Sequence, residues 1–118
     1  MKHYIFEIYQ GKDKGKQKFR WRFRDTEGTI YAKSEEPFIS KLTCLRSIKR
    51  LQQNNKVKKG KAVFFVGKEN LCYWRVKSNN GWTLAMSSKG HDSSVTASQI
   101  YRCFEDNASE ATITESDM

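Results

Sequence analysis

The chain has 118 residues, 37% of them hydrophobic, and its 22 Lys and Arg against 13 Asp and Glu give a formal net charge of +9. This length predicts a single domain, 1–118, and excludes a catalytic domain beside a separate regulatory one. The longest apolar run, Ala62 to Val66, is far shorter than the roughly 20 residues that cross a bilayer, and Glu7 interrupts the N-terminus before an export signal develops, so we expect a cytoplasmic protein without a membrane contact.

The first half of the chain has the pattern of three strands and a helix. Tyr4 to Tyr9 is rich in β-forming residues, and 19–24 (FRWRFR) alternates large apolar with basic residues, the period of a half-buried strand. Gly28 closes a turn, after which 29–33 returns as a hairpin. Ser40 is a natural N-cap, and the apolar residues that follow it at helical spacing are Leu42, Leu45, Ile48 and Leu51.

A polar linker, 52–61, leads to a second half with the same pattern. Strands are predicted at 62–66, 72–77 and 82–86, with Gly81 in the turn before the last of them. Ser93 is the second N-cap, and the apolar residues of its helix are Ala97, Ile100, Tyr101 and Phe104. A short final strand is predicted at 111–114.

An internal repeat connects the two halves. Residues 21–40 align with 74–93 at a constant offset of 53 residues. The six identical pairs are Trp21 and Trp74, Arg22 and Arg75, Gly28 and Gly81, Ala32 and Ala85, Ser34 and Ser87, and Ser40 and Ser93. The pattern predicts two copies of one supersecondary unit, repeat one at 4–57 and repeat two at 58–115.

This repeated unit resembles the YegP-like family of small bacterial tandem-repeat domains. The resemblance rests on the F-x-W-R strand, the Gly-containing turn, the short strand that ends at Ala-x-Ser, and the Ser-capped helix. It implies an α+β fold in which two tandem β-β-β-α-β repeats exchange their C-terminal strands. They would form one antiparallel sheet with two helices packed on one face. The family is uncharacterised, so the resemblance implies a fold and no activity.

The sequence offers no pattern for catalysis or metal binding. Cys44, Cys72 and Cys103 are an odd number without C-x-x-C spacing, and two isolated histidines cannot complete a zinc site with them. Each cysteine falls on the apolar phase of a predicted element, so we expect small buried side chains. The adjacent Glu35 and Glu36 diverge in an extended segment and have no partner that would separate their pKa values. We therefore expect no enzyme, no cofactor and no metal.

The alternating strand of the first half predicts a basic surface. If Phe19, Trp21 and Phe23 point inward, the opposite, solvent-facing side carries Lys18, Arg20, Arg22 and Arg24. Lysines at 12, 14 and 16 extend this stripe into the preceding loop.

The second half repeats that surface. With Cys72, Trp74 and Val76 inward, the solvent-facing residues are Tyr73, Arg75 and Lys77. Trp82 follows Gly81 at a hairpin tip, where its ring would contact a ligand or partner, or fold over its own hairpin.

Two functions are left open by these residues. In the first, the protein binds single-stranded nucleic acid or another polyanion, with Tyr73 and Trp82 stacking on bases. The side chains that would neutralise phosphates are Arg20, Arg22, Arg24, Arg75 and Lys77. In the second, the protein is a protein-interaction or self-associating structural module, and the basic side is merely solvated. The tandem arrangement predicts a monomer, with weak self-association left open.

The charge is distributed unevenly along the chain. Residues 1–60 hold 16 basic against 6 acidic residues, whereas 105–118 hold five acidic residues and no basic one. The acidic end is therefore a candidate competitor for the basic surface.

Overall fold

The computed structural model describes residues 2–13, 16–53 and 56–116 of the chain. Within them the fold is α+β, with seven strands in one sheet and two long helices. In chain order the elements are β1 (Tyr4–Asp13), β2 (Lys16–Asp25), β3 (Ile30–Lys33), α1 (Lys41–Gln52), α2 (Lys56–Lys59), β4 (Lys61–Val66), β5 (Cys72–Lys77), β6 (Thr83–Ser87), α3 (Ser94–Asn107) and β7 (Thr112–Glu115). Every predicted strand and helix is present, with shifted ends, and the predicted linker also contains the single turn α2.

Both long helices begin where the sequence places their caps. The Ser40 hydroxyl accepts a hydrogen bond from the Thr43 N–H at 3.1 Å, and Ser93 accepts one from Thr96 at the same distance. A serine side chain here satisfies an N–H group that has no carbonyl partner within the helix. The two serines therefore fix the first turn of each helix.

The strand order is β4-β5-β6-β3-β2-β1-β7, and all neighbours are antiparallel except β1 and β7. The expectation of a wholly antiparallel sheet is wrong at this edge. The chain reaches β7 from β6 through α3 and not from β1 through a hairpin, so no tight turn forces β7 to run opposite to β1. Gln52, at the end of α1, supports this return by donating hydrogen bonds to the carbonyls of Ala108 and Ala111.

The expected exchange of two C-terminal strands is also wrong, because among the described residues one such strand exists. After α3 the chain forms β7, but between Gln52 and Lys61 there are eight residues, of which four form α2, and β4 follows directly. The first half thus has too few residues after α1 for a C-terminal strand of its own. As a result β1 is covered by β7, whereas no described strand lies on the outer side of β4.

The core is one cluster between the inward strand residues and the long helices. The Phe104 ring of α3 lies at its centre, with centroids 5.0 Å from Phe23, 5.6 Å from Trp74 and 6.2 Å from Phe6. Trp21, Phe23, Trp74 and Val76 are almost wholly buried, as the alternation predicts. Cys44 is buried as expected, and burial raises the pKa of its thiol to about 12. Cys72 and Cys103, which were also expected to be buried, are only partly buried.

Positions 53 residues apart make the same contacts inside the sheet. The Ser34 hydroxyl accepts a hydrogen bond from the Trp21 N–H at 3.2 Å, and Ser87 accepts one from Trp74 at 3.3 Å. Gly28 and Gly81 both have positive φ, 96° and 86°, in the turns where the sequence places them.

No helix in the described part of the chain is both long and apolar enough to span a membrane.

Candidate functional site

The predicted basic residues of β2 and β5 lie on the side of the sheet opposite Trp21 and Trp74, which we call the outer face. One row of paired residues crosses all seven strands of the described structure on this side: Val63, Arg75, Met86, Lys33, Arg22, Glu7 and Thr114. The neighbouring outward positions are Tyr9, Lys18, Arg20, Arg24, Lys61, Phe65, Tyr73 and Lys77. Glu35 follows β3 and reaches the same side.

Cations outnumber carboxylates on the outer face. Among the described side chains there are eight cations, namely Lys18, Arg20, Arg22, Arg24, Lys33, Lys61, Arg75 and Lys77. Two carboxylates lie among them, Glu7 and Glu35. The structure therefore brings together seven of the eight residues that the sequence selected. The predicted extension through the lysines at 12, 14 and 16 lies outside the described side chains.

Glu7 holds two of these arginines, and the sequence analysis missed it. The Arg22 Nε donates to Glu7 Oε1 at 2.7 Å, and Arg24 donates to both carboxylate oxygens at 3.2 Å. The hydrogen bonds from Arg24, together with those from Arg22, hold the pKa of Glu7 below its ordinary value. Since Phe6 and Ile8 point inward, the alternation of β1 could have assigned Glu7 to the outer face.

Arg75 occupies the equivalent position in the second half without such a carboxylate. Val63 stands beside it where Glu7 stands beside Arg22, and its nearest carboxylate oxygen, on Glu35, is 3.7 Å away. The Nε of Arg75 has no hydrogen-bond partner among the described residues. Arg75 is therefore less neutralised than Arg22.

An arginine lies over an aromatic ring in both halves of the outer face. The Arg22 guanidinium is 4.6 Å from the Tyr9 ring centroid, and that of Arg75 is 5.1 Å from Phe65. Phe65 also stacks on Tyr73, with centroids 5.7 Å apart and planes 14° from parallel. These contacts hold the guanidinium planes and the Tyr73 ring in fixed positions.

Trp82 is not part of the outer face, contrary to the grouping made from the sequence. Its side chain is 73% exposed and lines a groove of about 750 Å³ together with Leu51 and Ser47 of α1. Trp82 therefore lies on the same side of the sheet as α1. The turn after β5 causes this placement, because the Trp82 N–H and carbonyl both bond to Ser78.

Two carboxylates of the acidic end of the chain have partners that do not belong to the outer face. Glu105 accepts a hydrogen bond from the Tyr101 hydroxyl on its own helix, and Glu115 lies 3.3 Å from Lys41 of α1. The carboxylates that do enter the outer face come from β1 and from the turn after β3.

A buried carboxylate, Asp25, is a further charged group that the sequence analysis did not single out. It is 1% exposed and accepts hydrogen bonds from the Tyr31 hydroxyl and from the backbone of Glu27 and Thr29. Burial alone would raise its pKa, but these hydrogen bonds and nearby Lys2 outweigh it, so the pKa lies below the ordinary value. Asp25 is a structural group that closes the β2–β3 turn.

Comparison with known proteins supports the fold. No family model matches the chain, and no curated protein matches it. A solved structure of a UPF0339 protein from Shewanella oneidensis superposes with a TM-score of 0.72 at 17% identity, covering 93% of this chain and 90% of that one. The structure of YegP from E. coli, a protein of unknown function, gives 0.75 at 16% identity, covering 98% and 94%.

These two likenesses define the class of fold. The chain has the fold of YegP and the UPF0339 protein, which confirms the resemblance found in the sequence. At such low identities the likeness shows the fold alone, so function has to be argued from the geometry of the site.

Proposed function

We propose that the protein is a non-catalytic binding module that takes up single-stranded nucleic acid, or another polyanion of the same charge density, on its outer face. The observation that carries this proposal is the excess of eight cations over two carboxylates among the described side chains of that face. Charge of one sign on an open surface attracts polyanions, and Arg adds the planar donors that suit phosphate. We also infer that the chain consists of two repeated units with both long helices on the inner face.

The second half of the outer face is the better binding region. Arg75 and Lys77 stand beside Tyr73, so a single strand carries two cations and one ring, and one face of that ring is stacked on Phe65. Alternating charge and aromatic surface is the combination that binds single strands, because phosphates pair with the cations while a base stacks on the ring. Arg22 lies three strand spacings away, about 14 Å, so a ligand that reaches both halves must be several nucleotides long.

The carboxylates change the expected number of neutralised phosphates. The sequence selected five cations for this role, which corresponds to a slope near −3.5 for the logarithm of affinity against the logarithm of salt, at about −0.7 per phosphate. Glu7 and Glu35 each offset one of these charges. We therefore expect at most about three phosphates and a slope no steeper than about −2.

The test is a fluorescence-anisotropy titration of a labelled oligothymidylate at several salt concentrations. The variant is Arg75→Gln/Lys77→Gln, and the matched control is Arg46→Gln/Lys49→Gln, which removes two exposed charges from α1. The variant should weaken binding and reduce the slope from about −2 to about −0.7, whereas the control should bind like the parent protein.

A flat salt dependence, or equal losses in both double variants, would contradict outer-face binding. Replacing Arg20, Arg22 and Arg24 together is a poorer test. It would leave the half-buried Glu7 unpaired and so would confuse binding with stability.

A protein-interaction or self-associating module is the second candidate. It is favoured by exposed apolar side chains at one sheet edge, where Phe64 is 45% and Val66 is 63% exposed. The two candidate functions can be distinguished with the purified protein. Copurified nucleic acid raises the ratio of absorbance at 260 nm to that at 280 nm, whereas self-association raises only the molar mass.

A further inference from the structure

The two edges of the sheet differ in how their backbone groups are satisfied. At one edge β7 lies along β1, and the Ser116 N–H donates to the Ile8 carbonyl at 2.7 Å. At the other edge no strand among the described residues pairs with the outer side of β4. Phe64 of β4 faces Trp74 as Ile8 of β1 faces Trp21, so β4 and β1 hold equivalent positions in the two halves, and only β1 is covered by a further described strand.

The backbone groups that face outward from β4 can be assigned from the hairpin. The Gly67 N–H bonds to the Leu71 carbonyl, so the odd-numbered residues of β4 direct their backbone groups toward β5. The N–H and C=O groups of Ala62, Phe64 and Val66 then point away from the sheet. They form a row of three donors and three acceptors along the free edge.

The side chains at this edge lack the usual protection against pairing. Sheet edges are commonly blocked by an inward-pointing charge, a proline or a bulge. Between Ala62 and Val66 there is no charged residue and no proline, and β4 pairs with β5 in continuous register. Phe64 and Val66 are exposed apolar side chains on the inner side of this edge.

We propose that β4 pairs with β4 of a second copy of this chain, antiparallel and about a twofold axis through Phe64. A twofold axis perpendicular to the sheet keeps each residue on its own face, so residues whose numbers have the same parity must stand opposite each other. Centring on Phe64 satisfies this condition and uses the outward backbone groups of all three residues. Two sheets of seven strands then join into one of fourteen.

The paired residues are complementary in size and charge. Phe64 stands opposite the partner's Phe64, and the small Ala62 stands opposite the partner's Val66. On the outer side, Val63 stands opposite the partner's Phe65. Lys61 lies opposite a glycine, so no two lysines face each other across the axis. Pairing therefore covers the two exposed apolar side chains without a like-charge contact.

The first experiment measures molar mass by light scattering after size exclusion, from micromolar to near-millimolar protein and without nucleic acid. The parent protein should rise from 13.8 kDa toward twice that value as its concentration increases. Val66→Lys, which places a charge on the edge, should remain at 13.8 kDa throughout. Val95→Lys is the matched control, since Val95 is 64% exposed at the start of α3, and it should associate like the parent.

The second experiment tests the register by oxidative cross-linking. The Cα atoms of a directly opposed pair are about 5.5 Å apart, which suits a disulfide, so Phe64→Cys should give a covalent dimer. Val66→Cys should not, because residue 66 of each copy is displaced by four residues from its counterpart, about 13 Å. The parent protein, with its three cysteines, provides the background in the same gel.

Three results would overturn the proposal. These are a mass of 13.8 kDa at every concentration, association that survives Val66→Lys, and cross-linking of Val66→Cys in preference to Phe64→Cys. None of them depends on nucleic acid, so this proposal and the polyanion proposal fail separately.

Discussion

The two halves of the molecule match inside the sheet and differ on its outer face and at its edges. Inside, Trp21 and Trp74 donate to serines at the same offset. Outside, Arg22 is held by Glu7, whereas Arg75 has Val63 as its neighbour. At the edges, β1 is covered by β7, while β4 has no described strand on its outer side.

This difference shows where binding can be expected. Packing constrains the inward positions equally in both halves, because a change of one methylene is felt in a close-packed core. Substitutions at outward and edge positions cost little stability. In this chain those changes remove a carboxylate and a covering strand from the same half, so both of our proposals place binding in the second half.

The largest expected effect comes from the shared interior. Phe104→Ala should lower the free energy of unfolding by about 4 kcal/mol, because this ring packs against aromatic residues of both halves and its removal leaves a cavity. The equivalent change in α1, Leu51→Ala, should cost less, about 3 kcal/mol. Urea denaturation followed by circular dichroism measures both values. Equal or reversed losses would show that α3 does not have the central place in the core.

A smaller effect is expected at the two β-turns, where Asp25 of the first half corresponds to Ser78 of the second. Asp25→Asn should cost about 2 kcal/mol at neutral pH, since charge-assisted hydrogen bonds from Tyr31 and two N–H groups are weakened. The pKa of Asp25 is lower in the folded than in the unfolded chain. Its contribution is therefore complete above about pH 4 and is lost as the pH falls through the folded pKa.

Thermal unfolding between pH 2 and pH 7 separates these contributions. The difference in stability between the parent protein and Asp25→Asn should shrink as the pH falls. The control Ser78→Ala should show a small loss that does not depend on pH. A constant difference for Asp25→Asn would mean that its carboxylate is not the source of the stability.

The smallest effect concerns the outer face itself. Glu7→Gln should make the first half resemble the second by releasing one arginine charge, and should steepen the salt slope for oligothymidylate from about −2 to about −2.8. Glu110→Gln removes an exposed carboxylate after α3 and should leave the slope unchanged. An unchanged slope for Glu7→Gln would show that Arg22 and Arg24 do not contact the ligand.

Local signals in the sequence predicted most of the fold. Ser40 and Ser93 marked both helix starts. The alternation in 19–24 and 72–77 identified four buried residues correctly, namely Trp21, Phe23, Trp74 and Val76, whereas Phe19 and Cys72 at the strand starts are only partly buried. These features depend on neighbours within a few residues, so the sequence pattern contains them.

The remaining features depend on residues that are distant in the chain. The parallel pairing of β7 and the bare edge of β4 follow from how many residues each connection has, which alternation does not encode. Glu7 could have been assigned to the outer face, but its contact with Arg22 needs the β1–β2 register. The side of the sheet on which Trp82 lies could not be read from the sequence, because the turn decides which side of the sheet a hairpin tip meets.

The most direct test of the account is a nuclear magnetic resonance titration of ¹⁵N-labelled protein with a short oligothymidylate. We expect the largest amide shifts at Tyr73, Arg75 and Lys77, smaller ones along β2, and none in α1 or at Trp82. Shifts confined to the groove beside Trp82, or the absence of saturable shifts, would contradict binding on the outer face.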